Sequence, residues 1–129
     1  MAKALGIGGI FFRSKDPETL AAWYRKWLAF PSGPEGSFSP FIPDTAPPNG
    51  LTLWSPFPGD TDYFGNTDQT FMINLMVDDL DEALRQVKEG GAEIIPEKQE
   101  YEYGRFGWFI DPEGNRVELW QPPENPVSE

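Results

Sequence analysis

The sequence contains no cysteine and no histidine in 129 residues. Without cysteine there are no disulfides, no thiolate metal sites and no cysteine nucleophile. Without histidine, the commonest general base near neutral pH and the commonest transition-metal ligand are both missing. No apolar run approaches the roughly 20 residues that a membrane helix needs. The opening Met1–Ile10 lacks a basic region followed by an apolar stretch and a cleavage site. It predicts no signal peptide and a cytoplasmic location. Positive charge is also scarce: 10 Lys and Arg stand against 21 Asp and Glu, a net charge of −11. Nucleic-acid binding draws its affinity from Lys and Arg neutralising phosphates, so it is disfavoured. The acidic excess reads first as a solvated surface that aids solubility, and second as an attractor of cationic ligands.

Hydrophobic residues make up 39% and aromatic residues 15% of the chain, ample for the core of a single domain over 1–129. Residues 5–14 alternate as a strand, with Ile10, Phe12 and Ser14 on one face and Gly9, Phe11 and Arg13 on the other. Asp16-Pro17 announces a helix, Asp as N-cap and Pro at the first helical position. Its buried stripe is Leu20, Trp23, Tyr24, Trp27 and Leu28. Arg25 and Lys26 sit where the helix dipole favours cations, and Pro31 stops it. Residues 31–50 are rich in Pro, Gly and Ser, with room for one short strand at 38–42. Residues 51–55 predict a further strand, and the turn-rich stretch 56–67 forms a joint.

The second half repeats this order. Phe71, Ile73, Leu75 and Val77 alternate with Met72, Asn74 and Met76 as a strand over 71–77. Asp79-Leu80-Asp81-Glu82 is a capping box, Leu80, Ala83, Leu84 and Val87 form the stripe, and Gly90-Gly91 ends the helix. Strands follow at 92–96, 104–110 and 116–121, the last two joined by the turn Asp111-Pro112-Glu113-Gly114-Asn115. Residues 122–129 read as a loose tail. The caps Asp16 and Asp79 lie 63 residues apart, and 51–56 (LTLWSP) matches 117–122 (VELWQP) at an offset of 66. An offset near half the chain length is what a duplicated unit produces. The expected fold class is α+β, built from two similar βαβββ modules at 5–57 and 70–121 with one helix in each.

These residues carry a family likeness. The segments Met72–Gly90 and Tyr103–Trp120, the latter with Asp-Pro-Glu-Gly-Asn-x-x-Glu-Leu, resemble a module of the vicinal oxygen chelate superfamily, which includes glyoxalases, bleomycin-resistance proteins and extradiol dioxygenases. The resemblance implies that the two modules form curved sheets around a cavity, with one helix outside each. Many members hold a divalent metal there through four ligands, one from the first and one from the last strand of each module. Carried over by position, those ligands fall on Gly9, Thr52, Met72 and Glu118. Only Glu118 is a ligand type, and one carboxylate beside Gly, Met and Thr meets the needs of neither a hard nor a borderline cation. No metal and no other cofactor is therefore expected.

Around those positions the strand periodicity gathers a candidate cavity. Phe11 and Arg13 share a face with Gly9, Asn74 shares one with Met72, and Trp54 and Trp120 follow Thr52 and Glu118 by two residues. Strand alternation extends the set to Arg105 and Phe109. Such a lining suits a small aromatic or heterocyclic organic molecule. Glu118 then reads as an unused or arginine-paired carboxylate, or as a base or cation-binding group with Arg13 as its partner. Three functions stay open: a binder resembling the bleomycin-resistance branch, an atypical or metal-independent enzyme using Glu118 and Arg13, and a catalytically silent relative. A homodimer is expected, because curved sheets of this kind leave strand edges and apolar surface to cover.

Overall fold

The computed structural model describes residues 1–5, 7–33, 36–65 and 68–125. Two helices and one four-stranded mixed sheet make an α+β fold, and the sheet is open rather than closed into a barrel. Helix α1 spans Pro17–Leu28. The Asp16 carboxylate accepts from the Thr19 amide at 3.2 Å and the Thr19 hydroxyl at 2.8 Å, which satisfies one orphan donor of the first turn. Ala29 ends the helix in the left-handed conformation, two residues before Pro31. A single 3₁₀ turn, Pro43–Thr45, follows.

Among the described residues, every strand comes from the second half. Strand β1 (Ile73–Met76) leads into helix α2 (Leu80–Glu89), then β2 (Glu93–Tyr101), β3 (Gly104–Ile110) and β4 (Arg116–Gln121). The sheet order is β1-β4-β3-β2, with β1 parallel to β4 and the other pairs antiparallel. Edge strand β2 contains Pro96, and its register against β3 shifts between Ile94 and Lys98. Proline cannot donate to a ladder, so an edge strand with a bulge is where it is tolerated. The expected capping box forms only by half. Asp79 accepts from the Glu82 amide at 3.1 Å, but the Glu82 carboxylate turns away to pair with Arg85.

Both helices pack on the same face of this sheet. Leu20 and Tyr24 of α1 join Leu80, Ala83, Leu84 and Val87 of α2 against Phe109, Val117 and Leu119. Each such side chain, fully withdrawn from water, contributes about 1.5–3 kcal/mol before the entropy of ordering it. Two side-chain bonds tie the helices together: Trp23 Nε1 donates to the Gly90 carbonyl at 2.9 Å, and Gln86 Nε2 to the Trp27 carbonyl at 2.7 Å. The expected turn at 111–115 owes its geometry to Asp111. Its carboxylate accepts from the Glu113 and Asn115 amides and from the buried Tyr24 hydroxyl at 2.9 Å. Burial and the adjacent Asp111 carboxylate both push the Tyr24 phenol well above its ordinary value.

The first half departs from the expected module. Among the described residues, 7–14 and 51–55 take part in no sheet ladder, no strand forms at 38–42, and α1 covers the second-half sheet rather than one of its own. Gly6, expected within the first strand, and 126–129, expected in the tail, lie outside the described residues. Eight of the fourteen prolines fall between 31 and 58. They remove amide donors that a strand ladder needs, and they favour turns such as Pro47–Gly50 and Pro58–Thr61 over extended pairing. Its apolar side chains are left facing out: Phe11 is 97% exposed, Trp54 78% and Leu53 75%. One place where this half is held is the 111–115 turn. Glu113 accepts there from the Ser14 hydroxyl at 2.8 Å and from the amides of Lys15 and Asp16. Among the described residues, no helix is long and apolar enough to cross a membrane.

Candidate functional site

Alternation along β4 sends Val117 and Leu119 into the helix-side core and Glu118 and Trp120 to the opposite face. The register then sets rows of side chains across three strands. Asn74, Glu118 and Trp108 stand abreast on β1, β4 and β3, and Met76, Trp120 and Phe106 form the next row. The first row is a polar centre in an aromatic surround. Asn74 Nδ2 donates to Glu118 Oε1 at 2.6 Å, and Trp108 Nε1 donates to Oε2 at 2.9 Å. The Tyr63 hydroxyl donates to the same Oε2. Glu118 is only 7% exposed, so these three donors offset the cost of withdrawing its oxygens from water.

Tyr63 comes from the loop at 56–65, folded by local turns from Pro58 to Thr61 and Asp62 to Gly65. Its ring stacks on Phe57 at 5.3 Å and meets Trp108 edge-on at 6.0 Å. Burial, then the hydrogen bond to Glu118, raises its pKa, so the phenol remains the donor. The Arg116 guanidinium lies over the Trp108 ring at 5.7 Å, a cation–π contact on the flank of the site. On the other flank Trp120 stacks on Phe106 at 6.2 Å, and its Nε1 donates to the Tyr103 carbonyl at 2.8 Å. Gly104 permits that approach. Its φ is +130, and a Cβ there would strike the Trp120 ring. The row continues to Tyr103 and Tyr101, stacked at 5.0 Å and about half-exposed.

Of the residues expected to line the cavity, Asn74, Glu118 and Trp120 come together. Phe11, Arg13 and Trp54 are exposed, and the partners of Glu118 are Tyr63, Asn74 and Trp108 rather than Arg13. Arg105 and Phe109 require a correction. Phe109 is fully buried in the helix-side core, and Arg105 reaches Asp81 beside α2 at 3.1 Å. Both therefore lie on the face opposite Glu118. The hairpin explains why: the turn pairs Arg105 with Gln121, Trp108 with Glu118 and Phe109 with Val117. Counting outward from the turn at 111–115 would have put Trp108, not Phe109, beside Glu118. No comparable signal marks Tyr63, which belongs to no periodic element.

The four positions expected to correspond to metal ligands do not form a donor set. Gly9 has no side-chain donor, Thr52 is exposed, Met72 offers a thioether, and both Glu118 oxygens already accept hydrogen bonds. Trp108 presents an N–H, which can donate but not ligate. Among the described residues, no group of three or more Asp or Glu is placed to hold an ion.

A mixed sheet with helices on one face and an aromatic-ringed carboxylate on the other defines the class of α+β protein to which this chain belongs. Residues 9–120 match the family described as Glyoxalase-like domain, and the chain belongs to it and so to the vicinal oxygen chelate superfamily. Comparison with curated proteins and with solved structures gives no significant match.

Proposed function

We propose that this protein binds a small aromatic or heterocyclic organic molecule on the sheet face opposite the helices, around Glu118, without the metal centre of its relatives. The observation that carries this reading is the row Asn74–Glu118–Trp108: a nearly buried carboxylate among N–H and O–H donors, walled by Trp108, Trp120, Phe106 and Tyr63. Aromatic walls with a few convergent polar groups are the ordinary makeup of an organic-ligand site. Donors crowding the carboxylate suit a hydrogen-bonded organic molecule better than a cation, which their positive ends repel. The cysteine-free composition suits a reducing compartment, and we place the protein in the cytoplasm.

We further infer a homodimer. The exposed Phe11, Leu53 and Trp54 leave apolar area of the kind that association covers, and a second copy would withdraw it from water. Aromatic cations and aromatic carboxylates screened by tryptophan quenching test the binding site. A ligand is expected to bind wild type at micromolar level and about tenfold more weakly after Trp120→Ala, since loss of one aromatic contact removes about 1–1.5 kcal/mol. Ligands that bind a Trp108→Phe, Trp120→Ala double variant as tightly as wild type defeat the reading. A light-scattering mass near the 14.6 kDa of one chain defeats the dimer.

A further inference from the structure

We propose that Tyr63 holds the place of the ligand's own hydrogen-bond donor, so that the site selects aromatic molecules bearing a hydroxyl or N–H group, which displace Tyr63 from Glu118. The inference rests on the binding site proposed above and adds to it the chemical class of the ligand and the residue that competes with it.

The three donors to Glu118 are not equivalent. Asn74 and Trp108 are its direct register partners on the two neighbouring strands, so ladder hydrogen bonds fix their backbones beside it. Tyr63 arrives from the loop at 56–65, whose backbone bonds at Pro58–Thr61 and Asp62–Gly65 are local turns. That loop can swing outward with its turns intact, so Tyr63 is the donor that exchanges. What it presents at the site is an aromatic ring with one hydroxyl, gripped by Phe57 on one side and Trp108 on the other. A ligand filling the same space meets the same demands: a flat ring for the Trp108 wall, and a donor for Glu118 Oε2. A ligand carboxylate would bring a second anion against an acceptor already buried, which is costly unless a cation intervenes. The Arg116 guanidinium lies over the Trp108 ring, and the hydrogen bonds that Glu118 accepts come from neutral groups.

Two probes with one ring system separate the possibilities: 2-naphthol, which can donate, and 2-naphthoate, which cannot. Calorimetric titration compares wild type with Tyr63→Phe, which keeps the ring and removes the competing hydroxyl. The variant is expected to bind 2-naphthol about tenfold more tightly than wild type, because a hydrogen bond to a charged acceptor no longer has to be broken first. It is expected to gain nothing for 2-naphthoate. Equal affinity of 2-naphthol for the two proteins, or an equal gain for both probes, overturns the role of Tyr63 and leaves the aromatic site standing. Failure of either protein to bind either probe overturns both. Should Tyr63→Phe not fold, wild type decides by itself through tyrosine-selective NMR. Bound 2-naphthol must shift the Tyr63 ring signal and leave that of core Tyr24 in place. Binding that leaves the Tyr63 signal unmoved overturns the proposal.

Discussion

The two halves of this chain carry matching patterns and build different structures. Both place an Asp cap before a helix, and both contain an L-x-L-W or E-L-W strand pattern before a proline. Both helices form where their caps put them. Among the described residues, only the second half makes a sheet. Its strands are joined by turns short enough to bring neighbours together: Tyr101 to Gly104, and the clasp that Asp111 makes with the amides of Glu113 and Asn115. In the first half the segments at 7–14 and 51–55 are separated by a helix and a proline-rich stretch, and neither has a local antiparallel partner. Helices satisfy their backbone within the segment, whereas a strand exists only through a neighbour. Alternation of side chains is therefore a sufficient sign of which face a strand would bury, and an insufficient sign that the strand forms.

That contrast predicts unequal consequences for similar deletions. Leu119→Ala removes a fully buried side chain from the helix-side core and is expected to cost about 2–5 kcal/mol in denaturant unfolding. Leu53→Ala, in the matching position of the first half, removes a side chain that is mostly in water and is expected to change stability by less than about 0.5 kcal/mol at high dilution. A cost for Leu53→Ala that appears only as protein concentration rises points to coverage by a second copy. A large, concentration-independent cost would break the comparison, because it would mean that the first half packs a core of its own.

The same contrast governs how much could be read before the structure. The helices, their Asp caps, the α2 stripe, Leu20 and Tyr24 of the α1 stripe and the 104–110 and 116–121 strands were legible, because each rests on local chemistry within a few residues. Glu118, Asn74 and Trp120 were legible as neighbours through strand periodicity. Arg105 and Phe109 went to the wrong face because alternation gives two parities, and only the hairpin register selects one. Tyr63 was invisible: its position depends on a loop folded against a sheet face that no periodicity describes.

The Tyr24–Asp111 bond joins the halves through the core, and its loss is the next largest effect. Tyr24→Phe removes the hydroxyl and leaves Asp111 its bonds from Glu113, Asn115 and the turn, so a cost of about 1–2 kcal/mol is expected. The phenol's pKa is raised by burial first and by Asp111 second. A raised phenol keeps its proton in the folded state while the unfolded chain ionises above the ordinary value of 10.0, so folding stability must fall as pH rises past that point. Chemical denaturation on the alkaline side should show a shallower decline in Tyr24→Phe than in wild type. Parallel declines would mean that Tyr24 does not carry its share of the alkaline limb.

The smallest effect expected concerns the surface clasp between the halves. Glu113 lies in the β3–β4 turn and accepts from Ser14 Oγ, Lys15 N and Asp16 N, the three residues that lead into α1. Partial desolvation pushes its pKa up, and those three donors outweigh it, leaving the carboxyl below its ordinary value of 4.5. A group depressed in the folded state contributes stability that is complete above its unfolded pKa and is lost as pH falls through the folded one. The clasp therefore holds at neutral pH and weakens below about pH 4.5, where acidification protonates the acceptor that orders 14–16. Glu113→Gln should imitate that protonated state. Amide hydrogen exchange at Lys15 and Asp16 is expected to be faster in the variant than in wild type at neutral pH, and the two proteins should converge on acidification. Asp81, also depressed by its hydrogen bonds, loses stability in the same direction, but it does so in both proteins and cancels in the difference. Exchange that is already equal at neutral pH would show that Glu113 does not order the residues leading into α1.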